Sequence, residues 1–241
     1  MFFFYLNPIL IAAAVIPAVV LLVKVYQADR LEKEPPRLLA SLVLQGIFAT
    51  VFAMLTEKLG IWILNRFWEP GTTVYNALLY FVVVAVSEEG FKYLLLKRRT
   101  WYSPDFNCQF DGVVYAVFVS LGFALWENIG YVMMYGLGTA LVRAVTAVPG
   151  HACFGIFMGT WYGIAKRCEG ECDYDRSKIC RMLAFVIPAF LHGCYDYVAG
   201  FENIHGGWIF LVFILVMFFA AYRLVRKMSR EDQFIERHHY W

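Results

Sequence analysis

Charged residues are scarce in this sequence. Only 17% of its residues are Asp, Glu, Lys or Arg, whereas 61% are hydrophobic and the mean hydropathy is +0.58. A soluble domain carries roughly 45–50% apolar and about 25% charged residues, so a single soluble core cannot hide this much apolar surface. Lipid is the natural solvent for it. The net charge of +2, with no single basic patch, gives no indication of nucleic-acid binding.

Several common signatures are absent as well. No serine or cysteine stands beside a histidine in a recognisable nucleophile motif, and the H-E-x-x-H pattern of soluble zinc proteases does not occur. No internal repeat of the kind that many transporters show is visible. The first apolar stretch has no basic residues before it and no small-residue cleavage site, which predicts a retained span rather than a signal peptide.

Seven apolar stretches are long enough to cross a bilayer as helices, because a hydrocarbon core of about 30 Å needs roughly 20 helical residues. Segment 61–68 is expected to lie along the membrane interface. The short connections leave no room for a soluble domain, so the sequence predicts an all-α, polytopic membrane protein with one domain over residues 1–241. The predicted spans are 2–24, 38–60, 73–96, 111–135, 140–166, 181–200 and 207–226.

Basic residues alternate between the two ends of the predicted spans. The connections after spans one, three and five and the C-terminal tail are basic, whereas the alternate connections hold only Arg66. By the positive-inside rule this pattern predicts a multi-pass protein of the cell membrane, with the N-terminus outside and the C-terminus in the cytoplasm. The basic residues are Lys24, Arg30, Lys33, Arg37, Lys97, Arg98, Arg99, Lys166, Arg167, Arg176, Lys178, Arg181, Arg223, Arg226, Lys227, Arg230 and Arg237.

Three cysteines fall in the polar stretch after span five. Cys168, Cys172 and Cys180 share it with four acidic residues, but their spacing matches no common zinc pattern. We expect a solvated loop with reduced thiols.

Ionisable residues occur inside the predicted spans, where each costs about 2.5–3.5 kcal/mol at the helix centre. Such residues imply a partner, a water-filled cavity or a function. Arg143 lies near a span end and is expected to snorkel or to pair with Glu127, whereas Glu57 and Asp111 are expected at the interface. The polar set comprises Glu88, Glu89, Lys92, Glu127, Asn128, Arg143, His151, His192 and Asp196.

Helical spacing relates these residues to one another. Glu88 and Lys92 are four residues apart and can pair, as can His192 and Asp196. Glu88 and Glu89 are adjacent, about 100° apart around a helix, so one can face a central cavity while the other braces a neighbouring helix. Each residue alone suits a structural role, but the set at similar depth predicts a polar site near the midplane.

Four motifs follow one another on successive spans: E-E-x-x-K at 88–92, F-x-x-x-E-N at 123–128, P-G-H-A at 149–152 and H-x-x-x-D at 192–196. This series resembles the PrsW family of membrane proteases, which are related to the CAAX prenyl endopeptidases and the bacterial Abi/CPBP proteins. The resemblance covers about residues 85–205.

The resemblance implies a hydrolase that cleaves a peptide bond of a membrane-tethered protein. At the level of the family, the expected reaction is the first cleavage of a membrane-bound anti-sigma factor, which starts a stress response. It implies that Glu88 is the catalytic glutamate, with Glu89 beside it. Glu127 stands where the prenyl endopeptidases carry a histidine, and His192 with Asp196 fills their H-x-x-x-N/D motif.

The same residues can support amide hydrolysis. Glu88 or Glu127 can activate a water, while His192 or His151 donates a proton to the oxyanion and the leaving amine. In this preferred, metal-free interpretation there is no cofactor, His192 is oriented by Asp196, and the supporting residues are Lys92, Asn128 and Arg143.

Three alternatives stay open at this point. Two histidines and two carboxylates also suffice to hold a zinc ion with an open position, which is the zinc-dependent version of the same protease. Buried carboxylates and histidines also occur in ion- or proton-coupled transporters. A non-catalytic scaffold that binds a partner helix is the third alternative.

Overall fold

The computed structural model describes residues 8–201 and 204–236, and the described chain is almost entirely helical. The predicted all-α fold is therefore confirmed. Residues 2–7 of the first predicted span, and Arg237 of the basic tail, lie outside the described residues. The helices are α1 Pro8–Ala28, α2 Pro36–Phe67, α3 Thr73–Leu78, α4 Ala85–Thr100, α5 Asp111–Tyr135, α6 Leu137–Val145, α7 Ala147–Gly170, α8 Tyr174–Ala199 and α9 Ile204–Arg230, with a π-helical segment, Leu79–Val84, between α3 and α4.

Six helical stretches among the described residues are long and apolar enough to cross a membrane, with α6 and α7 forming one of them. Helix α3, the π-helical segment and α4 form a seventh stretch of matching length, Thr73–Thr100, which carries Glu88, Glu89 and Lys92. This agrees with the prediction of about seven spans.

Helix α5 lies at the centre of the bundle. It contacts α1, α2, α4, α6 and α7. In its most apolar stretch of 18 residues, 78% of the residues are buried, whereas only 17% are buried in the corresponding stretches of α1 and α9. The apolar side chains that α1 and α9 leave exposed suit contact with lipid tails, which are as apolar as the side chains themselves.

Glycines set the distance between α5 and its neighbours. A Cβ built on Gly112 would lie 2.6 Å from the backbone nitrogen of Gly163 on α7, and one on Gly122 would lie 2.3 Å from the carbonyl oxygen of Val43 on α2. Small residues of this kind let helix backbones approach closely in membranes. The close approach fixes the depth at which residues on α5 and α7 face one another.

The π-helical segment positions α8 against α4. A Cβ on Gly193 would lie 2.4 Å from Cδ1 of Phe81, so α8 can approach this segment only because the residue after His192 has no side chain. Segments of π-helix are frequent at functional sites, and this one ends one turn before Glu88.

Two predictions about helix ends were wrong. Helix α2 continues without a break to Phe67, so residues 61–68 are not a separate interfacial segment. Helices α7 and α8 leave only residues 171–173 between them, and the predicted cysteine loop is therefore mostly helix. Cys168 and Cys180 are buried and only Cys172 is exposed, because a small thiol packs easily between helices.

Candidate active site

Lys92 is the centre of the buried polar cluster. Its Nζ lies 3.2 Å from Glu88 Oε2, 2.7 Å from Glu89 Oε1 and 3.1 Å from His151 Nδ1, and 3.9 Å from the centre of the Phe123 ring. The lysine side chain is fully buried. The predicted Glu88–Lys92 pair is present, and the same ammonium also holds Glu89 and His151.

The two adjacent glutamates point in different directions, as their helical spacing predicts. Glu88 lines a cavity between the helices, whereas Glu89 has no exposed surface and its Oε1 lies 2.9 Å from Nδ1 of His192 on α8. Glu89 therefore braces the neighbouring helix, and Glu88 is the glutamate that a water in the cavity can reach.

His192 is held on both sides of its ring. Nδ1 meets Glu89, whereas Nε2 lies 3.4 Å from Asp196 and 3.9 Å from Glu88. The ring stacks on Phe154 with the centroids 4.6 Å apart. The predicted His192–Asp196 pair is present, but the shorter orienting contact comes from Glu89, which was not assigned that role.

Glu127 lies in a second polar group on the cavity wall. Its Oε2 accepts a hydrogen bond from Arg143 at 2.5 Å, as the sequence predicted. Arg143 Nε also donates to Asn128 Oδ1 at 2.9 Å, and Asn128 donates to the carbonyl of Ala14 on α1 at 2.9 Å. The F-x-x-x-E-N motif therefore links the cavity to α6 and α1.

His151 connects the two polar groups. Its Nδ1 faces the ammonium of Lys92, and its Nε2 lies 3.1 Å from Glu127 Oε2. Because an ammonium only donates hydrogen bonds, Nδ1 must accept, and the ring proton then lies on Nε2, which donates to Glu127. This assigns His151 as a neutral imidazole with a defined tautomer.

The cavity has a volume of about 250 Å³, which is room for several waters. Six of the nine predicted polar residues line its wall, and the other three lie directly behind it. Glu88, Glu127, Arg143, His151, His192 and Asp196 line it, and Glu89, Lys92 and Asn128 hold the lining residues from behind.

Sequence reasoning did not assign four polar residues of the wall. Glu57 was expected at the interface, but α2 continues past it and Glu57 lines the cavity, as do Tyr80, Tyr131 and Tyr195. A glutamate within an apolar run was the available signal for Glu57. The three tyrosines carried no signal, since aromatic residues are common in membrane helices.

Asp111, which was expected at the interface, is the first residue of α5. It is fully buried, and its Oδ2 accepts hydrogen bonds from the backbone N–H groups of Asn107 and Cys108 at 3.0 and 2.7 Å. These donors belong to the loop that folds over the start of α5, and this cover is what keeps the residue away from solvent.

The cluster contains a set of possible metal ligands. One ligand atom from each of Glu88, Glu89 and His151 lies within 4.8 Å of the others, and carboxylates with an imidazole are a donor set that zinc accepts. Glu89 Oε2 is buried and has no hydrogen-bond partner among the described residues, which suits a further ligand. Against this, the ammonium of Lys92 lies between these same three residues.

Fold and site together define a multi-pass membrane protein with a small cavity, lined by carboxylates and imidazoles, between its spans. The family described as PrsW family intramembrane metalloprotease matches residues 34–222. The chain belongs to this family of membrane proteases.

Curated relatives agree with the family match. The chain is 32% identical to Protease PrsW of Geobacillus kaustophilus, over 90% of this chain and 91% of the relative. It is 32% identical to Protease PrsW of Clostridioides difficile over 85% and 84% of the two chains, and 28% identical to that of Bacillus subtilis over 90% and 94%. No solved structure matches. These comparisons name the PrsW family alone, so the relation to prenyl endopeptidases stays a prediction.

Proposed function

We propose that this membrane protease hydrolyses a peptide bond of a membrane-tethered protein with a water activated by Glu88. One observation carries the proposal. Glu88 is the glutamate of the Glu88–Glu89 pair that lines the cavity, and Nε2 of His192 lies 3.9 Å from it. A base and a proton donor therefore face the same small space, in which a water and a substrate carbonyl can meet.

Glu89 and Lys92 act as positioning residues in this mechanism. Both are fully buried, and neither lines the cavity. Lys92 holds the carboxylate of Glu88, and Glu89 holds Nδ1 of His192 so that Nε2 points toward Glu88 and Asp196. His192 can then stabilise the developing oxyanion and pass a proton to the leaving amine.

The group around Glu127 forms the opposite wall. Arg143 and the N–H of His151 both donate to Glu127 Oε2, which leaves that oxygen well satisfied and less suited to take a proton from water. We therefore place the base at Glu88 and assign Glu127 to the orientation of His151 and Arg143.

A zinc-dependent form is the second candidate, and two observations favour it. The family is described as a metalloprotease, and Glu89 Oε2 is a buried oxygen without a partner among the described residues. Glu88, Glu89 and His151 would hold the ion, which would activate a bound water and polarise the substrate carbonyl. The metal-free form is preferred because the ammonium of Lys92 already contacts all three of these ligands and would repel a cation.

The family supports the proposed substrate class, and the charges support the proposed orientation. The proposed substrate is a membrane-tethered protein. At the level of the family, the expected substrate is an anti-sigma factor, which this protease would be the first to cut. The N-terminus is proposed to lie outside and the C-terminus in the cytoplasm, because the basic connections occur at one end of the bundle. Family membership disfavours the transporter and scaffold alternatives.

The cleavage assay is the direct test. Purified protein in lipid is incubated with a panel of single-span membrane substrates, and products are identified by mass spectrometry. We expect Glu88→Gln to abolish cleavage, since it keeps the side-chain volume and removes the base. Glu171→Gln, in the exposed connection after α7, is the matched control and should cleave normally. Full activity of Glu88→Gln, with cleavage by the wild type, would refute the assigned base.

A further inference from the structure

A second cluster of buried carboxylates lies far from the candidate active site. Asp29 and Glu34, in the connection between α1 and α2, and Asp111, at the start of α5, are 2%, 2% and 0% exposed. One carboxylate oxygen of each lies within 4.8 Å of the others. Asp111 and Glu127 are sixteen residues apart on α5, which separates the two sites by about 24 Å along the helix.

The carboxylates of this cluster lack enough hydrogen-bond donors. Neither oxygen of Asp29 has a hydrogen-bond partner among the described residues, and both are buried. Oε1 of Glu34 and Oδ1 of Asp111 are buried without a donor of their own, and these two carboxyl groups can hydrogen-bond to each other only through a shared proton. The other oxygens are held: Glu34 Oε2 accepts from the hydroxyl of Tyr115 at 2.7 Å, and Asp111 Oδ2 accepts from two backbone N–H groups. The side chains are thus oriented, and Asp29 keeps two buried oxygens without a donor.

The described residues around the cluster supply little positive charge to its carboxylates. Lys33 is the neighbouring cation that acts on Asp29, and its Nζ donates to the backbone carbonyls of Tyr26 and Asp29 rather than to the carboxylates. Asp232, from the segment after α9, adds negative charge and has a buried oxygen of its own without a partner. Buried charges of one sign are costly unless a counter-ion compensates them.

We propose that Asp29, Glu34 and Asp111 bind one divalent cation of the oxygen-preferring class, Mg²⁺ or Ca²⁺. The three ligands are all carboxylates, the donors that hard cations select, and no histidine or cysteine belongs to the group. The chemistry therefore differs from that of the zinc candidate at the active site.

The bound cation would join two parts of the chain at the basic end of the bundle, where a third part also packs. The connection after α1 supplies two ligands and α5 supplies the third. The segment after α9 packs against the same place, because Asp232 Oδ1 accepts from the backbone N–H of Phe110 at 2.8 Å and Gln109 donates to the carbonyl of Gln233 at 3.1 Å. The role of the cation is to hold the connection after α1 to the central helix α5, beside the packed C-terminal segment.

Direct binding tests the site. Purified protein in detergent is stripped with EDTA, and binding of Ca²⁺ and of Mg²⁺ is measured by equilibrium dialysis and by calorimetry. We expect one ion per chain for the wild type. Asp29→Asn, which removes the ligand with two unpartnered oxygens, should weaken binding on the order of tenfold or more, because affinity follows the number of charged ligands.

Two control variants make the result specific. Glu231→Gln alters an exposed glutamate beside Asp232 and should bind as the wild type does. Glu88→Gln should also bind normally, since it belongs to the other site. The thermal midpoint should rise with cation in the wild type and stay unchanged in Asp29→Asn. If Asp29→Asn fails to fold, Glu34→Gln replaces it. Absence of binding to the wild type, or binding that is lost in Glu88→Gln and kept in Asp29→Asn, would overturn the proposal.

Discussion

At the scale of single residues, the main feature is a lysine that contacts three acceptors inside a membrane protein. Lys92 contacts Glu88, Glu89 and His151, and its side chain has no exposed surface. Two carboxylates next to one ammonium leave an excess negative charge, which the Arg143–Glu127 pair does not offset. A site with this balance can hold a proton or a cation, and both forms of the proposed mechanism use that property.

Removal of the ammonium should destabilise the protein. In Lys92→Met the two carboxylates lose their shared partner, and breaking a buried ion pair on one side costs about 3–5 kcal/mol. The thermal midpoint, followed by circular dichroism in detergent, should fall clearly. The double variant Lys92→Met with Glu89→Gln should be less affected than Lys92→Met alone, because the two changes share a contact. A Lys92→Met protein as stable as the wild type would contradict the cluster described above.

Whether cleavage depends on zinc also depends on these individual side chains and can be tested with a chelator. In the metal-free form, a zinc-selective chelator such as phenanthroline should leave the cleavage rate unchanged, and mass spectrometry should find less than one zinc per chain. This chelator is chosen because EDTA would also strip the Mg²⁺ or Ca²⁺ proposed at Asp29. Loss of activity that zinc restores, with stoichiometric zinc that disappears in His151→Ala, would instead establish the zinc-dependent form.

At the scale of elements, close helix packing brings the cluster together. Helix α5 carries Glu127, α7 carries His151 and α8 carries His192, and glycines at the contacts of these helices set their depth relative to one another. The π-helical segment adds a local change of helical register before Glu88. The site therefore depends on contacts that lie outside the four motifs.

A pair of glycines on α5 tests this dependence. Gly122→Ala should lower the thermal midpoint and the cleavage rate, because the new Cβ would lie 2.3 Å from the carbonyl oxygen of Val43 and α2 would have to move. Gly130→Ala is the matched control on the same helix, where a Cβ meets nothing within 4 Å. It should be neutral or stabilising by up to about 1 kcal/mol, since alanine favours helix over glycine. Equal behaviour of the two variants would show that the α2–α5 contact is not essential.

At the scale of the whole molecule, the ends of the bundle differ in charge. The connections after α1, α4 and α7 and the segment after α9 meet at one end, where Trp101 donates to Glu169 at 3.0 Å and Ser229 hydrogen-bonds to the carbonyl of Ala28. These are the connections with the basic residues. The charge count made on separate loops therefore applies to one continuous surface.

Thiol labelling tests the proposed orientation. Cys172 is the exposed cysteine, in the connection between α7 and α8, whereas Cys168 and Cys180 are buried. An impermeant maleimide should label Cys172 only after the cytoplasmic side is opened, and Cys172→Ser should remove the signal. Ready labelling of Cys172 in intact cells would show that the orientation is the opposite one, with the Asp29 cluster outside the cell.

The sequence alone determined the class of the fold and most of the candidate site. Apolar runs of sufficient length predict helices because a membrane leaves no other way to satisfy the backbone. Ionisable residues in such runs are costly, so their presence identified Glu88, His151 and His192 directly. Residues four positions apart share a helix face, which is why the Glu88–Lys92 and His192–Asp196 pairs could be predicted.

The tertiary structure alone decided which residues meet across helices. Lys92 contacts His151 and Glu89 contacts His192 because the helices approach closely, and sequence spacing carries no information on such contacts. The surroundings of Glu57 and Asp111 were not predicted for the same reason: whether a carboxylate near a span end meets water depends on what folds over it. The continuation of α2 decided the position of Glu57, and the loop before α5 buried Asp111.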